Sequence, residues 1–229
     1  MDQSADGTSA VGIQRLPGAT VLELESPILT LELLDTISST LESLAKESRP
    51  DPLVLCSAHP SVFLAGAHLA EIANLDASSS GPYARRGRRA IRALEKHPSP
   101  TVAAINGSCS GGGFDLILAC DALIAGPTAR FGHPGVRRGL VTGWSGTTRL
   151  PSALGSATAR AALLETRELD PVTLSFHGAI LRTADDPLAA ATKKAQQLAS
   201  LDPMRCSLWR GLRGPGFIDR FHAFVVHKL

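Results

Sequence analysis

Between Pro100 and Asp121 the chain reads PTVAAINGSCSGGGFDLILACD, and few folds can use that order of residues. Residues 102–105 are a short apolar run of the kind a buried strand makes, and Asn106-Gly107 breaks it. Residues 108–110 lead into Gly111, Gly112 and Gly113, after which Phe114, Leu116, Ile117, Leu118 and Ala119 read as the opening of a buried helix. A strand, a glycine turn and a helix start aim unpaired backbone N–H groups into one space with the helix dipole behind them, which favours negative charge there. The missing Cβ atoms let a substrate oxygen reach the main chain. Close packing of a helix on a strand uses glycines as well, so the triplet alone leaves both readings open.

A second turn of the same kind lies upstream. Residues 61–69, SVFLAGAHL, follow the strand-like run 53–56 and precede a helical pattern at Leu69, Ile72 and Leu75. Two such turns can each supply one N–H to a shared oxyanion, the arrangement that stabilises the enolate-like oxygen of a thioester.

With these segments on view, the chain resembles the crotonase (enoyl-CoA hydratase/isomerase) superfamily. The matching pieces are FLAGAHLAEI at 63–72, residues 100–126, ARFGHPGVRRGL at 129–140, residues 146–174 and HGAI at 177–180. The corresponding family segments read AGADL, P-x-x-A-x-x-G-x-x-x-GGG-x-E-x-x-x-x-CD, FGxPE and GxGGTQRLPRxxG. The resemblance runs from about residue 11 to about residue 198. It implies an α/β, crotonase-like fold of twisted sheets built from ββα repeats, with C-terminal helices that mediate trimerisation. Residues 1–200 are therefore expected to form an acyl-CoA-binding domain. Residues 201–229 are expected to form a shortened, atypical C-terminal segment, because Gly211, Gly214, Pro215 and Gly216 interrupt any long helix there.

Composition agrees with one soluble domain. The chain has 229 residues, is 44% hydrophobic and 19% charged, and so has enough apolar material for one sizeable core. A net charge of +2 and an aromatic content of 4% give no basis for nucleic-acid binding. The basic cluster Arg85-Arg86-Gly87-Arg88-Arg89 reads either as a solvated helix face or as a phosphate-facing group near coenzyme A. Cys56, Cys109, Cys120 and Cys206 are scattered without metal-ligand spacing and read as reduced thiols of a cytoplasmic protein. Neither a membrane span nor a signal peptide is expected.

Along the chain, residues 20–24 read as a strand and 27–48 as a loop followed by an amphipathic helix. Residues 76–82, DASSSGP, read as a mobile loop before an Arg-rich helix at 83–96. Residues 122–125 and 129–131 supply further strands. Pro151 and Pro171 each start a helix, and Asp185-Asp186-Pro187 caps a last one at 188–201.

Departures from the family bear on mechanism. Hydratases of the family use two glutamates, one after the glycine triplet and one in the FGxPE turn; here those positions hold Asp115 and Gly135. Two carboxylates can hold a water and pass its proton on, whereas one shorter carboxylate does both jobs poorly. Dihydroxynaphthoyl-CoA synthases also carry glycine in that turn, but their nearby aspartate corresponds to Thr142. His68 stands where the AGAD turn usually has its acid, and His133 where glutamine is common in the FGxP turn; each also reads as a loop histidine bonded to backbone. Asp115 has its own alternative role as a cap of helix N–H groups. Trp144 borders the acyl pocket or packs in the core. Glu71, Asp121 and Glu165 read as structural.

The resulting expectation is an acyl-thioester enzyme of the isomerase or lyase type rather than an efficient hydratase. Ala67 and Gly112 donate the oxyanion hole and Asp115 moves the proton. Ala65, Gly66, His68, Gly111, His133, Gly135 and Trp144 line the substrate. No metal and no cofactor beyond the coenzyme A of the substrate are called for, and the assembly is a homotrimer or dimer of trimers. The competing expectation is a non-catalytic acyl-CoA-binding or scaffold relative. Gly112→Pro should delete a donor and abolish turnover or acyl-CoA binding with little loss of fold, and Gly135→Glu, ideally together with Asp115→Glu, should raise hydration measurably.

Overall fold

The computed structural model describes residues 10–199, so the expectation for 201–229 lies outside the described residues. In chain order the elements are β1 (Val11–Leu16), β2 (Ala19–Leu24), β3 (Ile28–Leu29), α1 (Leu31–Leu44), β4 (Leu53–Ser57), β5 (Val62–Leu64), β6 (Gly66–Ala67), α2 (Leu69–Ala73) and α3 (Ser80–Glu95). They continue with β7 (Thr101–Ile105), β8 (Ser108–Ser110), α4 (Gly112–Ile117), β9 (Ala122–Ala125), β10 (Arg130–Gly132), a 3-10 turn (Pro134–Arg138), α5 (Gly146–Leu163), α6 (Pro171–Phe176), β11 (Arg182–Thr183) and α7 (Pro187–Ala199). One sheet has the order β1-β2-β4-β7-β9-β11 and is antiparallel only between β1 and β2. A second, parallel sheet has the order β10-β8-β5, and β3 pairs with β6.

Side-chain alternation divides the interior. Leu53, Leu55, Ala103, Ile105 and Leu123 point into the main core, while Val54, Cys56, Val102, Ala104 and Ile124 point the other way, onto α7. Strands buried on both faces explain why these segments read as unbroken apolar runs. The apolar face of α7, Ala191, Ala195 and Leu198, is spent on this sheet. Leu188, at the start of the same helix, stays 39% exposed. Phe114 of α4 and Phe131 of β10 are fully buried with ring centroids 5.4 Å apart. Each contributes about 2–3 kcal/mol by burial and ties together two elements that carry the site.

Three local readings change. Residues 108–110 are a strand, β8, rather than part of the glycine turn, because they pair with both β5 and β10. Helix α3 begins at Ser80, ahead of Pro82, whose missing N–H costs nothing in a first turn. Pro151 lies inside α5, which starts at Gly146 and kinks at Gly155 (φ 72°). Asp186 does cap α7, its carboxylate accepting from Ala189 N–H at 2.9 Å.

Glu71 and Asp121 are held by structural contacts. Glu71 accepts from Leu31 N–H at the start of α1, at 3.1 Å. Asp121 accepts from the N–H and hydroxyl of Thr101 at 2.8 and 3.0 Å. Exposed Glu165 pairs with Arg167. No helix among the described residues is long and apolar enough to cross a membrane.

Burial pushes the Cys56 thiol up to about 12, with Glu23 and Glu25 adding to it, and raises Cys109 well above the usual thiol range. At pH 8 the Cys56 side chain is therefore held as the unreactive thiol. Native protein treated with iodoacetamide at pH 8 is therefore expected to leave the Cys56 and Cys109 peptides unmodified by mass spectrometry. Rapid labelling of either would contradict the packing described.

Candidate active site

The carboxyl ends of the three parallel strands β5, β8 and β10 meet at one place, and each continues into a turn that the sequence marks. After β5 comes Ala65 and then Gly66-Ala67, after β8 comes Gly111, and after β10 comes His133. The turns are stitched together: Ser110 hydroxyl donates to Ala65 O (2.8 Å), and Gly111 N–H donates to Gly132 O (2.9 Å). Gly66 (φ 102°) and Gly111 (φ 54°) occupy backbone conformations that other residues rarely adopt. A Cβ on Gly66 would stand 2.9 Å from Ser110 O and 3.4 Å from the Gly112 nitrogen, so bare backbone is what lets the two turns touch. Ala65 and His68 spend their N–H groups on Pro27 O (2.7 Å) and Leu29 O (3.1 Å) of the β3 segment. Gly112 is the first residue of α4, a position whose N–H has no intrahelical acceptor.

Asp115, in the first turn of α4, is fully buried. Its Oδ2 accepts from the Thr142 hydroxyl. Its Oδ1 lies 3.3 Å from His133 Nε2, off the line of a hydrogen bond, and neither atom has another hydrogen-bond partner. His133 itself is 6% exposed. The capping role weighed for Asp115 is not the one it plays, since its partners are Thr142 and His133 rather than helix N–H groups. A buried carboxylate needs such compensation, and the helix start supplies more of it. The pair of one carboxylate and one imidazole, sealed together beside the glycine turn, is suited to holding and relaying a proton.

The segment between the 3-10 turn and α5 wraps this centre. Thr142 bonds Asp115, Arg88 of α3 donates to Gly143 O at 2.7 Å, and Trp144 is buried at 4% exposure. The indole lies between α3 and α4: a Cβ on Gly87 or on Gly112 would fall under 3.0 Å from its ring atoms. This overturns the expectation that Gly112→Pro spares the fold, because any side chain there collides with Trp144. Gly146 is equally constrained, since a Cβ on it would overlap Asp115 Oδ1 and the Thr142 methyl. At Gly135 a Cβ would stand 3.3 Å from Leu140 O and 3.9 Å from His133 Nδ1, so a side chain there would start beside the histidine that approaches Asp115.

His68 sits at the start of α2 with its side chain 40% exposed and Nδ1 3.9 Å from Glu71, apart from the Asp115–His133 contact. The arginine cluster divides. Arg86 and Arg89 tie α3 to Asp35 and Glu42 of α1, Arg88 holds Gly143, and Arg85 with Arg92 and Lys96 lines an open groove between α1 and α3. Sequence reasoning missed Gly87 and Gly146 and gave Thr142 no role of its own. A glycine among strong helix formers in α3 is the one signal that was available.

Residues 18–205 match the family described as enoyl-CoA hydratase/isomerase. The chain is 31% identical over 201 residues to the mitochondrial methylglutaconyl-CoA hydratase of Rattus norvegicus, covering 87% of this chain and 62% of that protein. It is 32% identical over 205 residues to the probable enoyl-CoA hydratase echA8 of Mycobacterium leprae, covering 86% and 74%. The chain thus spans less than two-thirds of the rat protein and 57% of its Homo sapiens counterpart. Among solved structures, Pseudomonas aeruginosa DspI has a TM-score of 0.83 at 27% identity, covering 93% of this chain and 88% of that one. An enoyl-CoA hydratase from Bacillus anthracis has a TM-score of 0.84 at 24% identity, covering 96% and 92%. With the paired glycine turns and the strand order above, these matches establish that the chain has the crotonase fold and belongs to the enoyl-CoA hydratase/isomerase family.

Proposed function

We propose that this protein processes an acyl-CoA thioester through an enolate whose oxygen is held by the N–H groups of Ala67 and Gly112, with Asp115 and His133 moving the proton. The observation that carries the proposal is the buried Asp115–His133 contact at 3.3 Å, next to a glycine turn pressed against Gly66. Backbone donors fixed before substrate arrives stabilise the developing oxyanion without reorganising. A single carboxylate backed by an imidazole serves proton removal and return, as in isomerisation or in protonating an enolate left by C–C cleavage. Hydration additionally needs a water oriented by a second carboxylate, and Gly135 supplies none.

The rat and Bacillus anthracis relatives carry the name hydratase and the Mycobacterium leprae one that of a probable hydratase, which makes the distinction testable. Hydration of crotonyl-CoA is expected to be at least about a hundredfold slower than with a two-glutamate hydratase assayed in parallel. Exchange of the α-protons of butyryl-CoA in D2O, read by mass spectrometry, is expected to proceed with the wild type and to be lost in His133→Ala. Hydration at ordinary rates would defeat the isomerase/lyase assignment. Unchanged exchange in His133→Ala would remove the histidine from the mechanism.

Full burial of Asp115 and the indole against Gly112 favour a second reading, a thioester-binding relative without turnover. Binding of butyryl-CoA with no proton exchange would select it. The trimer is proposed by family analogy. Exposed Val172 and Phe176 on α6 are consistent with a covered surface, and sedimentation as a monomer at micromolar concentration would remove it.

A further inference from the structure

We infer that Trp144 sets the length of the acyl group, closing the site to all but short chains such as acetyl and butyryl; this rests on the acyl-thioester reading above. If the Gly112 N–H holds the thioester oxygen, the acyl carbons must leave the carbonyl close to the Gly112 Cα. The space beside that Cα is filled by the indole, whose Cε3 and Cζ3 lie where a Cβ on Gly112 would be. On its far side, Cε2 and Nε1 lie where a Cβ on Gly87 would be, and Tyr83 stacks on the ring with centroids 5.8 Å apart and planes 26° from parallel. The gap between α3 and α4 is therefore occupied by a side chain.

The placement is built rather than incidental. Glycine inside a helix costs about 1 kcal/mol relative to alanine. Gly87 stands inside α3 between pairs of arginines that favour a helix, and its missing Cβ is what admits the ring. The loop is anchored on both sides of its path, by Arg88 to Gly143 O and by the Thr142 hydroxyl to Asp115. The indole is thus held by the same segment that holds the buried carboxylate, and acyl length and proton position are fixed together.

Binding of acetyl-, butyryl- and octanoyl-CoA to the full 229-residue chain, by titration calorimetry, tests this. A methylene that finds apolar contact adds about 0.8 kcal/mol, or roughly fourfold in affinity. An open pocket therefore favours octanoyl-CoA, whereas the wild type is expected to bind butyryl-CoA at least tenfold more tightly than octanoyl-CoA. Trp144→Ala should raise octanoyl-CoA affinity at least tenfold relative to acetyl-CoA affinity, with Trp144→Phe intermediate. Octanoyl-CoA bound by the wild type as tightly as butyryl-CoA would overturn the inference, as would a folded Trp144→Ala with the wild-type ranking. If neither variant folds, the wild-type ratio decides. Failure of the wild type to bind any of the three would instead sink the acyl-thioester reading, and the inference with it.

Discussion

Asp115→Asn is expected to slow α-proton exchange on a bound acyl-CoA by about 10²–10⁴-fold, the usual range for losing a positioned acid or base. Asparagine keeps the shape of the side chain, and its amide oxygen can still accept from Thr142, so packing around the fully buried position should survive. What disappears is the basic oxygen facing His133 Nε2 at 3.3 Å. A thermal midpoint within a few degrees of wild type, together with the lost exchange, is the expected result. Exchange retained within threefold would take Asp115 out of proton transfer and leave the binding-only reading in its place. Asp115→Ala is the less informative variant, because it also strands the Thr142 hydroxyl in the interior, at a cost of about 1–3 kcal/mol.

The parts legible in the sequence are those written by local pattern. Apolar runs at 53–56, 102–105 and 122–125 became β4, β7 and β9 because strands buried on both faces admit little else. The two glycine turns were found because a turn with positive φ at Gly66 and Gly111 leaves few residue choices. The environment of Asp115 was not legible in the same way. Thr142 and Gly146 lie far from Asp115 in sequence, and only the crossing of the loop over α4 brings them to its two oxygens. Strand β8 was hidden for a related reason: Ser-Cys-Ser puts only one side chain, Cys109, into the core, and its partners, β5 and β10, are remote in the chain. Helix α7 was found, but its direction of packing was not, since small residues at Ala191 and Ala195 suit a sheet face and a subunit interface equally.

Gly146→Ala is expected to cost about 1–3 kcal/mol of stability, the range for overpacking a filled core, and to reduce exchange as severely as Asp115→Asn. The added methyl would overlap Asp115 Oδ1 and stand 2.7 Å from the Thr142 Cγ2. The carboxylate is fully buried and has no solvent to turn toward, so either its bond from Thr142 or its approach to His133 must give way. Alternatively the start of α5 moves, carrying Trp144 with it through Ser145, the left-handed residue (φ 80°) just ahead of the helix. A double-mutant cycle separates this collision from a general weakening of α5. In the background of Asp115→Ala the carboxylate is gone and the Thr142 side chain, no longer held by it, is free to turn its methyl aside, so Gly146→Ala should cost less than half of what it costs in the wild type, as measured by urea unfolding. Contacting residues couple by about 0.5–3 kcal/mol in such cycles, whereas independent ones add. Additive losses would mean that Gly146 serves the helix alone, and that the fixed position of the Asp115 carboxylate has another cause.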